Sequence, residues 1–342
     1  MMPELPEVEA LRRFLDRRCL GLTVDRAQVV AFACLKTAEI PVSALGGCEV
    51  GRVERRGKFL GVCVGEAGGD RFVGGDPSER AGGGVGAGVG GQPGGGTGGG
   101  QFVDGPVDEG VDIAEGVGSQ TWLVFHLARA GWLRWHDTMP TAPARPGRGP
   151  LAFRLSFTDG SGFDLTEAGT RQRLAVYLVR ELEEVPGVAS LGPDPLGQLF
   201  TRESLDSILE QAGRAQIKGV LRDQHVLAGV GNAYSDEVLW AAGLSPFAAA
   251  DRLTDEQRAV LYAALQGTLR DAIDRADGVA AAGLKAEKKA GLNVHGRTGE
   301  ACPRCGTTIA EVSFADSSLQ YCPGCQTGGR VLADRRLSRL LK

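Results

Sequence analysis

The first residues of the chain bring together the groups for an amine-based reaction. Met2-Pro3-Glu4-Leu5-Pro6-Glu7-Val8-Glu9 carries two prolines and three carboxylates. Inside a chain, proline is a tertiary amide with no N–H and no basicity. At the first position it carries a free secondary amine, and a terminal amine titrates near pKa ~8. A fraction is then unprotonated at neutral pH and able to attack an electrophilic carbon, forming an iminium. Glu4, next in the chain, is placed to serve as general acid or base. The plainer reading is that both prolines start a helix, where proline is favoured. Pro6 is assigned to that role. For Pro3 the pattern leaves both roles open. An initiator methionine is removed efficiently only ahead of a small residue such as proline. Met2 is therefore expected to be the true start, its removal exposing Pro3.

A second cluster lies near the other end. Cys302-x2-Cys305 is followed, after 16 residues, by Cys322-x2-Cys325. Four thiolates at this spacing satisfy a tetrahedral zinc site built on two knuckles. The remaining cysteines, Cys19, Cys34, Cys48 and Cys63, are scattered among apolar residues and read as buried free thiols. Residues 284–342 hold 10 Lys/Arg and 5 Asp/Glu. A small zinc-stapled unit with positive charge points to nucleic acid.

Two further stretches carry charge or glycine in suggestive places. Arg55-Arg56-Gly57-Lys58 sets a lysine at the start of a strand, able to meet a phosphate or an electrophile; on spacing alone a charged turn is the preferred reading. Gly229-Val230-Gly231 precedes a helical run, so backbone amides there can approach an anion. No strand precedes it, as a dinucleotide fold would require.

These residues need elements to hold them. Residues 6–18 have apolar residues at helical spacing. Strand patterns follow at 22–30, 48–53, 59–64, 122–127 and 131–135, then a hairpin over 151–165 turning at Asp159-Gly160. Residues 174–182 read as helical. Helices dominate 201–277, and Thr254-Asp255-Glu256-Gln257 has the form of a capping box. The sequence thus predicts an α+β multidomain protein. Its expected units are an N-terminal two-layer β-sandwich with flanking helices over 2–190, a linker at 191–200, a helical unit at 201–283 and a four-cysteine finger with a basic tail at 284–342.

At 342 residues two or three units are expected. The formal charge is −4, and its distribution matters more than its size. Residues 65–120 contain nine acidic and two basic residues and much of the glycine. They are expected to form a disordered insertion between two strands of one sheet, tolerable because loop-closure entropy grows slowly with length. The rest of the chain is net positive. No apolar run is long enough to span a bilayer, and the acidic, proline-rich start does not resemble a signal peptide. A cytoplasmic protein is expected, with no membrane contact.

Taken in order, the opening Pro-Glu-Leu-Pro-Glu-Val-Glu, Arg55-Arg56-Gly57-Lys58, the run from Asp223-Gln224 through Ala228-Gly229-Val230-Gly231-Asn232-Ala233-Tyr234, and the four-cysteine finger resemble the formamidopyrimidine-DNA glycosylase/endonuclease VIII family. The resemblance covers most of the chain outside 65–120. It implies that the helical unit is a helix-two-turn-helix domain and that double-stranded damaged DNA binds in the cleft between the halves. It implies a base-excision glycosylase with abasic-site lyase activity. Pro3 would be the nucleophile, Glu4 would protonate the sugar ring or leaving group, Glu7 would support the site, and Lys58 would contact a phosphate and assist elimination. Lys218 and Asn232 would grip phosphates, with Gly231, Tyr234, Arg129 and Arg134 also on the DNA side. Zinc would be structural, one per chain, and the protein a monomer with no obligate protein partner. The alternative is a non-catalytic binder of damaged DNA on the same scaffold.

The chain departs from the family at several points. Arg129 stands where these glycosylases typically carry the methionine that fills the space of the extruded base. Residues 167–173 match the usual intercalating loop poorly. Ser317 replaces the finger's usual arginine, and Lys285-Ala286-Glu287-Lys288-Lys289 falls in a shortened covering loop. Arg129, Arg171 and Arg173 are expected to fill the vacated stack or to bind phosphates, with a substrate range not centred on 8-oxoguanine.

Overall fold

A computed structural model of the chain describes residues 2–66, 120–142, 144, 149–169, 172–314 and 317–332. Nearly all of the expected insertion, together with Arg171 and the basic tail beyond 332, lies outside the described residues.

The chain opens with α1 (Leu5–Cys19), which has Pro6 in its first turn. Two four-stranded antiparallel sheets follow. One runs β1 (Val24–Val29), β6 (Leu151–Phe157), β7 (Gly162–Glu167), β5 (Gly131–His136). The other runs β2 (Glu49–Arg56), β3 (Phe59–Gly65), β4 (Thr121–His126), β8 (Ala175–Val179). Their inner faces pack on each other and on Val8, Leu11 and Leu15 of α1.

Residues 174–182 correct the sequence reading. Ala175–Val179 is the edge strand beside β4, and only a short turn of 3-10 helix, Leu182–Glu184, follows. Both faces of β8 are largely covered. Its short apolar run therefore has no alternation by which periodicity could tell a strand from a buried helix.

After a short helix α2 (Pro186–Ala189) come α3 (Arg202–Ala212), α4 (Ile217–Arg222), α5 (Asn232–Ala241) and α6 (Asp255–Ala276). Thr254 caps α6, its side chain accepting from the Gln257 amide. These helices enclose a second core around Leu205, Leu221, Val238 and Leu265. Leu5 belongs to this second core, although the rest of α1 packs in the first. In return, Ala276 and Leu284 of the helical half join the sandwich core. Helix α7 (Leu284–Gly291) leads to the finger, a hairpin of β9 (Ala310–Ser313) and β10 (Ser318–Tyr321) closed by α8 (Pro323–Thr327). Among the described residues no helix is long and apolar enough to cross a membrane.

Candidate active site

Glu4 ends the extended approach to α1, and its carboxylate is 2% exposed. It lands on the amino end of α5. The Gly231 and Tyr234 amides donate to Oε2 at 2.7 and 3.2 Å, and the Ala233 amide donates to Oε1 at 3.0 Å. The glycine pair in the sequence thus does receive an anion, and that anion belongs to the protein. Gly231 has an ordinary extended backbone at φ −129°, but a Cβ there would collide with the Glu4 carboxylate. Gly229 sits at φ 88°, against Leu5, and its carbonyl accepts from the Leu5 amide at 3.0 Å.

Glu7 lies one turn into α1 and is also buried. Its Oε2 accepts from the Glu4 amide at 2.8 Å, and Tyr234 donates its hydroxyl to Oε1 at 2.6 Å. Lys288, on α7, reaches the same carboxylate at 2.7 Å and stands 3.7 Å from Glu4.

Lys58 occupies the tight turn between β2 and β3, where Gly57 takes φ 54°. Arg55 fixes this turn from behind, pairing with Glu9 at 3.0 Å and with Asp194 at 2.7 Å.

Charge is distributed unevenly over this group. Burial would raise the Glu4 carboxyl, but Lys288, Lys58 and the α5 amides outweigh it and hold Glu4 ionised, below the ordinary range. Burial pushes Glu7 up, opposed by Lys288 and Tyr234. Burial pushes the Lys58 ammonium down to about 8; Glu4 pulls it up, while Lys288 and Arg222 add to the depression. His126 is driven down to about 4 by burial and by Lys58, so its ring is neutral.

A cavity of about 570 Å³ opens over these groups. The N-terminal half contributes Met2, Glu4, Lys58 and Arg129 to its walls, the helical half Arg222, Gln224, Gly231 and Asn232, and the finger segment His295, Ser317 and Ser318. A smaller cavity beside Phe32, about 340 Å³, has no such constellation; its carboxylate, Glu167, is taken by the Arg173 and Leu174 amides.

The expected site residues therefore separate into groups. Glu4 and Lys58 line the cavity, and Glu7 bonds the Glu4 amide from outside its wall. Pro3 is buried, immediately before Glu4. Gly231, Asn232 and Arg129 line the cavity. Asn232 donates to the Ser318 carbonyl at 2.7 Å, and no protein group among the described residues bonds its buried Oδ1. The other three expected DNA contacts lie away from the cavity wall. Tyr234 is buried beneath the site as the partner of Glu7. Lys218 is buried, with Nζ 2.6 Å from Asp236 and 2.8 Å from Ser235 Oγ, so in this structure its charge is neutralised within the protein. Arg134 is exposed on β5 opposite Asp164 and does not line the cavity.

Sequence reasoning missed Lys288, Arg222 and His295. His295 Nδ1 is 2.8 Å from Asp236, which fixes the ring at the cavity wall. Nothing in the local sequence marks any of the three.

Residues 2–73 match the model of the Formamidopyrimidine-DNA glycosylase N-terminal domain, residues 191–282 that of the Formamidopyrimidine-DNA glycosylase H2TH domain, and residues 299–328 the Zinc finger found in FPG and IleRS. A formamidopyrimidine-DNA glycosylase of Exiguobacterium sibiricum is 31% identical over 95% of this chain and 99% of its own. The chain belongs to the formamidopyrimidine-DNA glycosylase family. An uncharacterized formamidopyrimidine-DNA glycosylase-like protein of Mycobacterium tuberculosis is 54% identical, over 46% of this chain and 98% of its own. In fold, the Lactococcus lactis Fpg in complex with an abasic site containing DNA matches with a TM-score of 0.70 at 23% identity, over 95% of this chain and 99% of that one.

The finger of this glycosylase-family chain fits a structural zinc. All four Cys Sγ atoms, of Cys302, Cys305, Cys322 and Cys325, lie within 4.8 Å of one another, and none is in a disulfide. Four thiolates at Zn–S ~2.3 Å require S···S edges of about 3.8 Å. The separations Cys302–Cys325 of 3.8 Å and Cys305–Cys322 of 3.4 Å are close to that. Trp240 of α5 donates its indole N–H to Cys302 at 3.3 Å and carries the Arg304 guanidinium over its ring. The finger is thereby docked on the helix that holds Glu4.

Proposed function

We propose that the protein is a bifunctional DNA glycosylase and abasic-site lyase of base-excision repair. It would remove oxidised or otherwise damaged bases from double-stranded DNA through the amine of Pro3. The observation that carries this reading is buried Glu4, which follows Pro3 and is bonded through its amide to buried Glu7, on the wall of one cavity with a lysine of lowered pKa. Perturbed groups gathered in a cleft are the mark of a reactive site.

The base must leave the stack to reach this floor. With Pro3 as first residue, its nitrogen attacks C1′ of the sugar. The C1′–base bond breaks, and the base departs with the bonding pair. The nitrogen loses its proton to Glu4, which the free site holds as a carboxylate; the nitrogen lone pair then forms the C1′=N bond as the C1′–O4′ bond breaks, and the opened ring oxygen keeps that pair and takes the proton from Glu4. The iminium acidifies C2′. Loss of that proton and rupture of the C3′–O bond release the 3′ phosphate, with Lys58 beside it. Lys58, Arg129 and Arg222 offer the cavity three cations for the backbone.

Borohydride reduction tests the chemistry, because only an iminium is trapped as a covalent protein–DNA adduct. Adduct formation on Pro3 with an abasic-site duplex is expected. Binding of damaged DNA with no adduct would favour the non-catalytic binder. Arg129 in the cavity wall supports a substrate range centred on lesions other than 8-oxoguanine, such as oxidised pyrimidines or abasic sites. Efficient excision of 8-oxoguanine opposite cytosine, with poor action on pyrimidine lesions, would overturn that.

A further inference from the structure

Lys288 is a buried cation beside the first carboxylates that the reaction just described does not use. It is 3% exposed, and it reaches the site from α7. Its Nζ donates to Glu7 Oε2 at 2.7 Å and to the Met2 carbonyl at 3.2 Å, and it lies 4.6 Å from the centre of the Tyr234 ring. An isolated buried ammonium is costly, so its place is set by what it pairs with. The strongest partner is Glu7, which in turn holds the Glu4 amide.

We propose that Lys288 is a positioning residue of the reaction centre: as the counterion of Glu7 it keeps that carboxylate charged, and Glu7 fixes the Pro3–Glu4 turn from which the nucleophile projects. The inference rests on the lyase reading above. The other groups facing Lys288 are Glu4 ahead of α1, Lys58 in the β2–β3 turn and Tyr234 on α5. On its own helix, Glu287 is occupied by Arg275 of α6 at 3.1 Å. Glu4 has three backbone donors of its own and Lys58 beside it, whereas Glu7 has Lys288 as its only cation within ion-pair distance among the described residues. Removing Lys288 therefore falls on Glu7. Buried without its cation, that carboxyl takes up a proton at neutral pH, and it gives the proton up, regaining its charge, only in alkaline solution.

The test is the rate of borohydride trapping on an abasic-site duplex as a function of pH, for wild type, Lys288→Met, Lys288→Arg, Glu7→Gln and the double variant Glu7→Gln/Lys288→Met. Each unit by which the Glu7 pKa rises above the assay pH lowers its ionised fraction about tenfold. Lys288→Met should therefore trap at least about tenfold more slowly at neutral pH and recover toward wild type as the pH is raised. Lys288→Arg should retain most of the rate. In the Glu7→Gln background, loss of Lys288 should add little. A uniform loss at every pH, an unchanged profile, or a full additive loss on top of Glu7→Gln would overturn the inference. Failure of wild type itself to form an adduct would instead sink the lyase reading.

Discussion

Glu4 and Gly231, 227 positions apart, are joined by a 2.7 Å hydrogen bond that seats the chain's first carboxylate on the start of α5. The bond needs a residue without a side chain at 231, for reasons of space and not of backbone angle. Gly231→Ala should push the carboxylate off its amides, costing about 1–3 kcal/mol for a buried charged group that loses its partners. Urea unfolding measures this. The double variant Glu4→Ala/Gly231→Ala should cost less than the sum of the singles, since the shortened side chain leaves room for the methyl. Full additivity would mean that the collision is not the cause.

Lys58 should trade stability for chemistry. Its folded-state pKa of about 8 lies below the ordinary value of 10.5, so folding works against its proton. Below pH 8 that cost is constant. Between the two values the unfolded chain binds more protons than the folded one, and stability rises with pH. Lys58→Met should accordingly be more stable than wild type at neutral pH, by up to a few kcal/mol. The gain should fade as pH climbs toward the ordinary lysine value, while strand scission is lost at every pH. Thermal melts across that range, paired with a nicking assay, separate the two effects.

Cys305→Ser should release the metal and weaken binding to duplex DNA. The sandwich core contains no finger residue, so the near-ultraviolet signature of Trp122 and Trp132 should survive. Zinc retained at one per chain in this variant would count against the four-thiolate site.

The long glycine-rich stretch should be dispensable. It connects β3 to β4, and Val64 pairs directly with Thr121 across the ladder. The two strand ends that it joins are thus neighbours, close enough for a two- to five-residue hairpin turn. Replacing residues 67–119 by such a turn should leave the fold and strand scission intact. Loss of scission by a folded variant would assign the stretch a role in the reaction.

What the sequence disclosed and what it hid divide along physical lines. The cysteine spacing encodes its own geometry, so the metal cluster was legible at once. The Thr254 cap and the Gly-x-Gly before a helix are local signals, and both describe real contacts. Lys288 was hidden because a Lys-Ala-Glu-Lys-Lys run is indistinguishable from a solvated helix face until tertiary packing turns one lysine inward. The burial of Lys218 and Tyr234 was hidden for the same reason: their partners, Asp236 and Glu7, are chosen by packing and not by spacing. The strand at Ala175–Val179 lacked the alternation that a half-exposed strand would have carried.

Helix α1 has its first residue in one core and its remaining apolar face in the other. The two halves of the molecule therefore cannot slide past each other without wrenching Leu5 from a packed interior, and the first carboxylate of the chain is anchored to both interiors at once.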